Sequence, residues 1–120
     1  MNNFRLGAIE SRFADIVWQN APLSTKTLVE LCQQELNWKR TTTYTVLKKF
    51  CQRDIFCMEN GAVSVRMDKA EFSALQSQQF VEETFRGSLP AFLAAFGSRK
   101  KPSREELAQI RALLDSFEEA

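Results

Sequence analysis

Residues 37–53 read NWKRTTTYTVLKKFCQR, and the fold turns on this stretch. It holds Lys39, Arg40, Lys48, Lys49 and Arg53 with no acidic residue among them. Val46, Leu47 and Phe50 recur at helical spacing, which predicts a helix from about Arg40 to Arg53 with those three side chains inward. Thr42, Thr45, Lys48, Lys49 and Gln52 then lie largely on its other sides. Threonine loses rotamer freedom in a helix, so Thr41-Thr42-Thr43 at a helix start asks for a reason, and capping is the ordinary one. Positive charge gathered on one short segment calls for an anionic partner. The plain alternative is a solvated charged face, which is common on exposed helices.

Working outward, Leu6, Ile9, Phe13, Ile16 and Val17 mark one face of a first helix that stops at Asn20-Ala21-Pro22. Ser24 is a good N-cap, and Leu28, Leu31 and Cys32 give a second helix from about Thr25 to Glu35. On the C-terminal side, Ile55–Met58 and Ala62–Met67 are strand-like runs around Glu59-Asn60-Gly61, and an Asn-Gly pair is a strong hairpin signal. Asp68 can cap a longer helix reaching about Arg86, and Gly87-Ser88 breaks it. Leu89, Phe92, Leu93 and Phe96 mark a short helix, followed by a polar loop from Gly97 to Pro102. Ser103-Arg104-Glu105-Glu106 is a capping box opening a last helix with Leu107, Ile110, Leu114 and Phe117 in an a/d pattern. The fold class is therefore mainly α with a small β-hairpin: a winged helix-turn-helix over residues 1–68 and C-terminal dimerisation helices over 69–120.

The whole chain has 120 residues, 44% hydrophobic and 26% charged, close to globular averages. Its net charge of +1 conceals an asymmetry. Residues 1–67 carry nine basic against six acidic side chains, and residues 68–120 carry seven against nine. There is no histidine, which removes imidazole acid–base catalysis, His-dependent nucleophile pairs and every His-containing zinc site. Without a Gly-rich phosphate loop either, the scattered carboxylates make no catalytic constellation, so the chain does not read as an enzyme and no cofactor is called for. Cys32, Cys51 and Cys57 show neither CxxC nor CxC spacing, which argues against a disulfide framework or a metal cage. They read as buried free thiols, with a redox role for Cys51 and Cys57 as the alternative. No apolar run is long enough to span a bilayer and the N-terminus lacks a signal-peptide layout, so the expected location is cytoplasmic, without membrane insertion.

A helical trio whose third helix is basic and carries hydroxyls, closed by a hairpin, has the layout of a winged helix. The third helix can enter a major groove, where Thr hydroxyls bond base edges, Thr methyls pack on thymine methyls, and Lys and Arg neutralise phosphates or reach guanine. Thr42, Thr45, Lys48 and Lys49 are the leading candidates for contact with double-stranded DNA, followed by Arg40 and Thr41, with Arg66 on the hairpin along the neighbouring backbone. Trp18 and Trp38 read as core or elbow packing rather than stacking platforms for bases. The phenylalanines after residue 68, namely Phe72, Phe80, Phe85, Phe92, Phe96 and Phe117, exceed what three slender helices can bury, and a second chain can cover them. The candidate dimer interface is Phe85, Leu89, Phe92, Leu93, Phe96, Leu107, Ile110, Leu114 and Phe117. The rival reading is a protein-interaction module whose basic helix meets an acidic protein surface.

These residues resemble a known family, the penicillinase repressors of the BlaI/MecI type and their CopY-like relatives, over nearly the whole chain. Leu6 to Trp18, with Glu10, Phe13 and Trp18, is similar to the family's opening helix, and Pro22-Leu23-Ser24 to its turn into helix two. Trp38, Thr42, Thr45, Leu47, Lys49 and Phe50 follow the pattern of its recognition helix, and Phe85-Arg86-Gly87-Ser88-Leu89 resembles its Gly-Ser-Leu junction. The resemblance implies a homodimeric repressor whose winged helices bind paired half-sites with a TACA-type core. It also implies inactivation by a membrane-bound sensor protease at an Asn-Phe bond, whose matching position is Ala95-Phe96, with the Asn absent. Four departures stand out. Thr41 replaces a usual basic residue and Lys39 a small cap; Asp54 replaces a frequent Gly; and the paired Cys-x-Cys motifs of the copper-sensing branch are missing, which argues against copper regulation.

Overall fold

The computed structural model describes residues 4–120 and, among them, six helices and three short strands. Helix α1 (Ala8–Asn20) ends where Pro22 biases its predecessor to extended backbone, and Ala21 adopts φ −68°, ψ 146°. Strand β1 is only Leu23–Ser24, after which Ser24 caps α2 (Thr25–Leu36), its Oγ accepting from the Thr27 amide at 3.0 Å. Asn37 closes α2 in the left-handed conformation at φ 56°. Helix α3 (Arg40–Gln52), strand β2 (Phe56–Glu59) and strand β3 (Ala62–Val65) follow. Asn60 and Gly61, with φ 52° and 71°, form the tight turn that the Asn-Gly pair predicts.

The sheet has one strand more than the sequence reading. Leu23 pairs with Val63 and Ser24 with Ala62, so the order is β1-β3-β2, all antiparallel, with β2 at one edge. Two residues are too few to show alternation, and β1 exists only because the hairpin lends it a partner.

Two compact units divide the chain, the first ending at Gln79 and the second spanning Phe80–Ala120; helix α4 (Lys69–Phe85) contributes to both. The first unit is centred on Phe13, Val17, Leu28, Leu47, Phe50, Ile55, Phe56 and Val63, all essentially inaccessible to solvent. Phe50 stacks on Phe56 at 5.2 Å between ring centroids and Phe13 tilts against Phe50 at 5.3 Å, so α1, α3 and β2 are pinned through three rings. A fully buried aromatic or Leu side chain contributes about 1.5–3 kcal/mol each, which makes this cluster the main reason α3 sits where it does. Phe72 joins the same core, edge-on to Phe4, rather than the set awaiting a second chain. Asp68 caps α4 as expected, its Oδ1 accepting from the Glu71 amide at 2.8 Å.

In the second unit, α5 runs Leu89–Arg99 and α6 runs Arg104–Glu119. The capping box of α6 is present in both directions, Ser103 to Glu106 at 3.1 Å and 3.0 Å. Helix α5 is longer than the spacing of its apolar residues suggests. It continues through Gly97 and Ser98, which the sequence places in a loop, and the Ser98 hydroxyl donates to the Ala95 carbonyl at 2.7 Å. A single glycine costs only about 1 kcal/mol in a helix and does not stop one. Phe80, Phe85, Phe92 and Phe96 contact one another at centroid separations of 5.6–6.2 Å, yet no side chain of α5 or α6 is fully buried.

Candidate nucleic-acid interface

Helix α3 divides cleanly around its circumference. At about 3.6 residues per turn, Thr43, Leu47 and Phe50 fall on one narrow arc and are the buried residues of the helix. Thr41, Thr42, Thr45, Lys48, Lys49 and Gln52 fall on the opposite arc, and every one of them is exposed. The sequence-predicted contacts on this helix other than Arg40 are therefore brought to a single face. Arg40 is also exposed but lies off that face, above the buried arc in the first turn, on the flank toward Tyr44 and α2.

The three threonines do not cap α3, contrary to their ordinary explanation. Lys39 occupies the N-cap position with no side-chain bond to the first turn. Thr43 is buried, and its hydroxyl donates back to the Lys39 carbonyl at 3.3 Å, satisfying itself within the helix. Its oxygen also faces the buried Cys32 thiol, whose pKa burial pushes up despite that hydrogen bond. Thr45 donates to the Thr41 carbonyl at 2.9 Å. With its proton so committed, the exposed Thr45 oxygen is left as an acceptor, and its methyl group is free for apolar contact.

Tyr44 and the start of α2 were not singled out from the sequence. The Arg40 guanidinium lies 5.6 Å from the centre of the Tyr44 ring, a cation–π pair one helical turn apart. A hydrogen bond with the Thr25 side chain draws the Tyr44 phenol below its ordinary pKa. Thr25, Lys26, Val29, Glu30, Arg40 and Tyr44 line a groove between α2 and α3. The legible signal was the Arg40-to-Tyr44 spacing of four.

The wing side carries Arg66, just past β3. Its amide donates to the Ile55 carbonyl at 3.0 Å, and its guanidinium is 4.0 Å from the Asp54 carboxylate, both side chains being well exposed. A surface pair of this kind is worth about 0–1 kcal/mol, so Arg66 remains available to another anion. Asp54, where a glycine is frequent in the family it resembles, adopts φ 59°. An aspartate tolerates that left-handed backbone better than most residues, and here its carboxylate lies beside the wing cation.

Trp18 and Trp38 are packing residues. Trp38 stacks on Phe13 at 5.6 Å, and Trp18 packs edge-on to Phe56 while its indole N–H donates to the Met67 carbonyl at 3.0 Å. Cys32 is buried, whereas Cys51 and Cys57 are only half-buried, which corrects the reading of all three as core thiols.

The candidate interface residues of the second unit split by exposure. Phe85, Phe92, Leu107 and Ile110 are half-buried, while Leu89, Leu93, Phe96, Leu114 and Phe117 are exposed, Phe117 at 57%. Phe80, which the sequence reading grouped with the phenylalanines a second chain could cover, is exposed too, and so is Leu113, which had not been counted. Ala95 and Phe96 are exposed but lie within α5, where the Phe96 carbonyl accepts from the Lys100 amide at 3.0 Å. The sequence reading ends that helix at Phe96, whereas α5 runs on to Arg99.

No helix among the described residues is long and apolar enough to cross a membrane. A family model described as penicillinase repressor matches residues 6–116. Comparison with curated proteins returned no match.

Proposed function

The chain belongs to the penicillinase repressor family, whose members are transcriptional repressors, and on that premise we propose that it binds a palindromic operator as a homodimer through the exposed face of α3. The observation that carries this reading is the division of α3: a buried arc fixed by aromatic packing opposite a hydroxyl-and-cation arc with no acidic side chain on it. A major groove accepts a helix with that composition. Lys48 and Lys49 neutralise phosphates, Arg40 and Arg66 hold the backbone on either side, and Thr41, Thr42 and Thr45 face base edges. Because the Thr45 proton is already used within the helix, its oxygen accepts from an adenine N6 or cytosine N4 amine, or its methyl meets thymine.

Residues 1–68 carry DNA binding in this reading, the first turns of α4 complete their core, and 69–120 carry dimerisation. Leu89, Leu93, Phe96, Leu114 and Phe117, left exposed by one chain, form the surface that a second copy covers, with Phe85, Phe92, Leu107 and Ile110 behind them. A membrane-bound protease acting at Ala95-Phe96 would end repression by detaching α6.

The test uses a duplex enriched from a random pool. Lys49→Ala weakens binding to all duplexes alike, while Thr45→Ala blurs discrimination at one base pair by roughly 1–3 kcal/mol. Unchanged affinity and unchanged preference in both variants would remove α3 from the interface.

A further inference from the structure

Helix α4 starts in the first unit and continues into the second, so whatever fixes its direction matters to a site read by two chains at once. Lys69, Phe72, Gln76 and Gln79 recur at intervals of three and four and fall on one face of it. The first two meet α1: the Lys69 ammonium lies 2.8 Å from the Asp15 carboxylate, and the Phe72 ring packs against Trp18 at 5.5 Å between centroids. The two glutamines are half-buried and meet main chain instead. The Phe4 amide donates to the Gln79 Oε1 at 2.8 Å, and the Gln76 Nε2 donates to the Phe4 carbonyl at 3.1 Å. The Phe4 ring closes the arrangement, edge-on to Phe72 at 5.8 Å.

We propose that Gln76 and Gln79 are positioning residues for paired half-sites: by clamping the backbone of Phe4 they hold α4 to the winged helix over about 15 Å, and so set the half-site spacing that a dimer accepts. Held at Lys69 and Phe72 alone, α4 is anchored over a single turn and its far end is free to swing. The Asp15–Lys69 pair is largely exposed and weakens with salt, whereas the clamp is made of neutral groups. Two half-sites bound through one dimer gain affinity only where the geometry lets both engage. The clamp stands on its two hydrogen bonds, while its effect on spacing rests on the function proposed above.

The polarity of the clamp dictates which substitutions it tolerates, because a backbone N–H only donates and a carbonyl only accepts. Gln79→Glu keeps an acceptor for the Phe4 amide, and Gln79→Lys sets a donor against it. At position 76 the order reverses: Gln76→Lys keeps a donor for the Phe4 carbonyl, and Gln76→Glu sets a carboxylate against it. General loss of folding does not produce this crossed pattern, in which opposite charges are tolerated at two positions one turn apart.

Amide hydrogen exchange of the full chain, read by NMR, should show the Phe4 amide protected in wild type and Gln79→Glu and unprotected in Gln79→Lys. In parallel, the spacing of a pool-enriched inverted repeat is lengthened by about two base pairs, roughly a fifth of a helical turn. Wild type, Gln79→Glu and Gln76→Lys should lose roughly 10²-fold or more in affinity, the advantage of engaging both half-sites, and Gln79→Lys and Gln76→Glu less than about tenfold. An unprotected Phe4 amide in wild type, or equal protection in the two position-79 variants, would overturn the clamp. A clamp verified by exchange, with the same spacing preference in all four variants, would overturn the positioning role. If wild type binds no duplex, the DNA reading fails and the spacing role with it, while the exchange measurement still decides the clamp.

Discussion

Replacing Lys48 and Lys49 together by Gln should change how DNA binding responds to salt by an amount the structure allows us to work out. One chain presents four cations to the proposed groove, Arg40, Lys48, Lys49 and Arg66, and a dimer presents twice that number. Each phosphate neutralised adds about 0.9 to the steepness of log K against log salt, so the wild-type slope is about −7. Removing two cations per chain brings it to about −3.6. Between about 50 and 200 mM salt, wild-type affinity then falls roughly 10⁴-fold and the variant's only about 10²-fold. Both lysines are exposed and make no ion pair with an acidic partner on α3, so folding stability should stay within about 0.5 kcal/mol of wild type. Fluorescence anisotropy at several salt concentrations measures the slopes, and thermal melting by circular dichroism supplies the control. Equal slopes in wild type and variant would refute the assignment of these two side chains to phosphates, whatever the absolute affinities.

Other consequences can be checked separately. Leu114, 46% exposed, lies in the proposed α6 seam; if a second copy covers it, Leu114→Asp puts an unpaired charge into that contact and the protein should sediment as a monomer where wild type sediments as a dimer. Operator affinity should fall with it, because two half-sites are then no longer linked. Cleavage at Ala95-Phe96 needs local opening of α5, since the bond sits within the helix, and an immunoblot during induction by a cell-wall antibiotic should show a shortened chain; full induction with an intact chain would eliminate cleavage as the switch. The Glu106 carboxyl is held below its ordinary pKa of 4.5, chiefly by the Ser103 amide that donates to it. A depressed carboxyl stabilises the fold above its unfolded value and loses that contribution as pH falls through the folded one, so α6 should fray on acidification below about pH 4.5 in wild type and lose this dependence in Glu106→Ala, as read by circular dichroism.

What the sequence made legible were features written in local chemistry. The Asn60-Gly61 turn, the Ser24 and Asp68 caps and the Ser103/Glu106 box each depend on residues a few positions apart, and each is present. The exposed face of α3 was legible for the same reason, because Leu47 and Phe50 fix which side is inward. Strand β1 was not, since its pairing with Val63 depends on a partner forty residues away. Thr43 was hidden among identical neighbours, and only the turn of the helix separates its buried hydroxyl from the exposed ones of Thr41 and Thr42. Tyr44 escaped notice because its importance comes from Thr25 on another helix.

The central claim is that α3 of two chains reads two half-sites at once. Selection of bound duplexes from a random pool, followed by sequencing, tests it most directly. The account predicts one enriched inverted repeat, its half-sites separated by about one helical turn, 10–10.5 base pairs, or a multiple of it, and no enrichment with Leu114→Asp at the same protein concentration. Recovery of single, unpaired sites, or of no sequence at all under conditions where the dimer is intact, would contradict it.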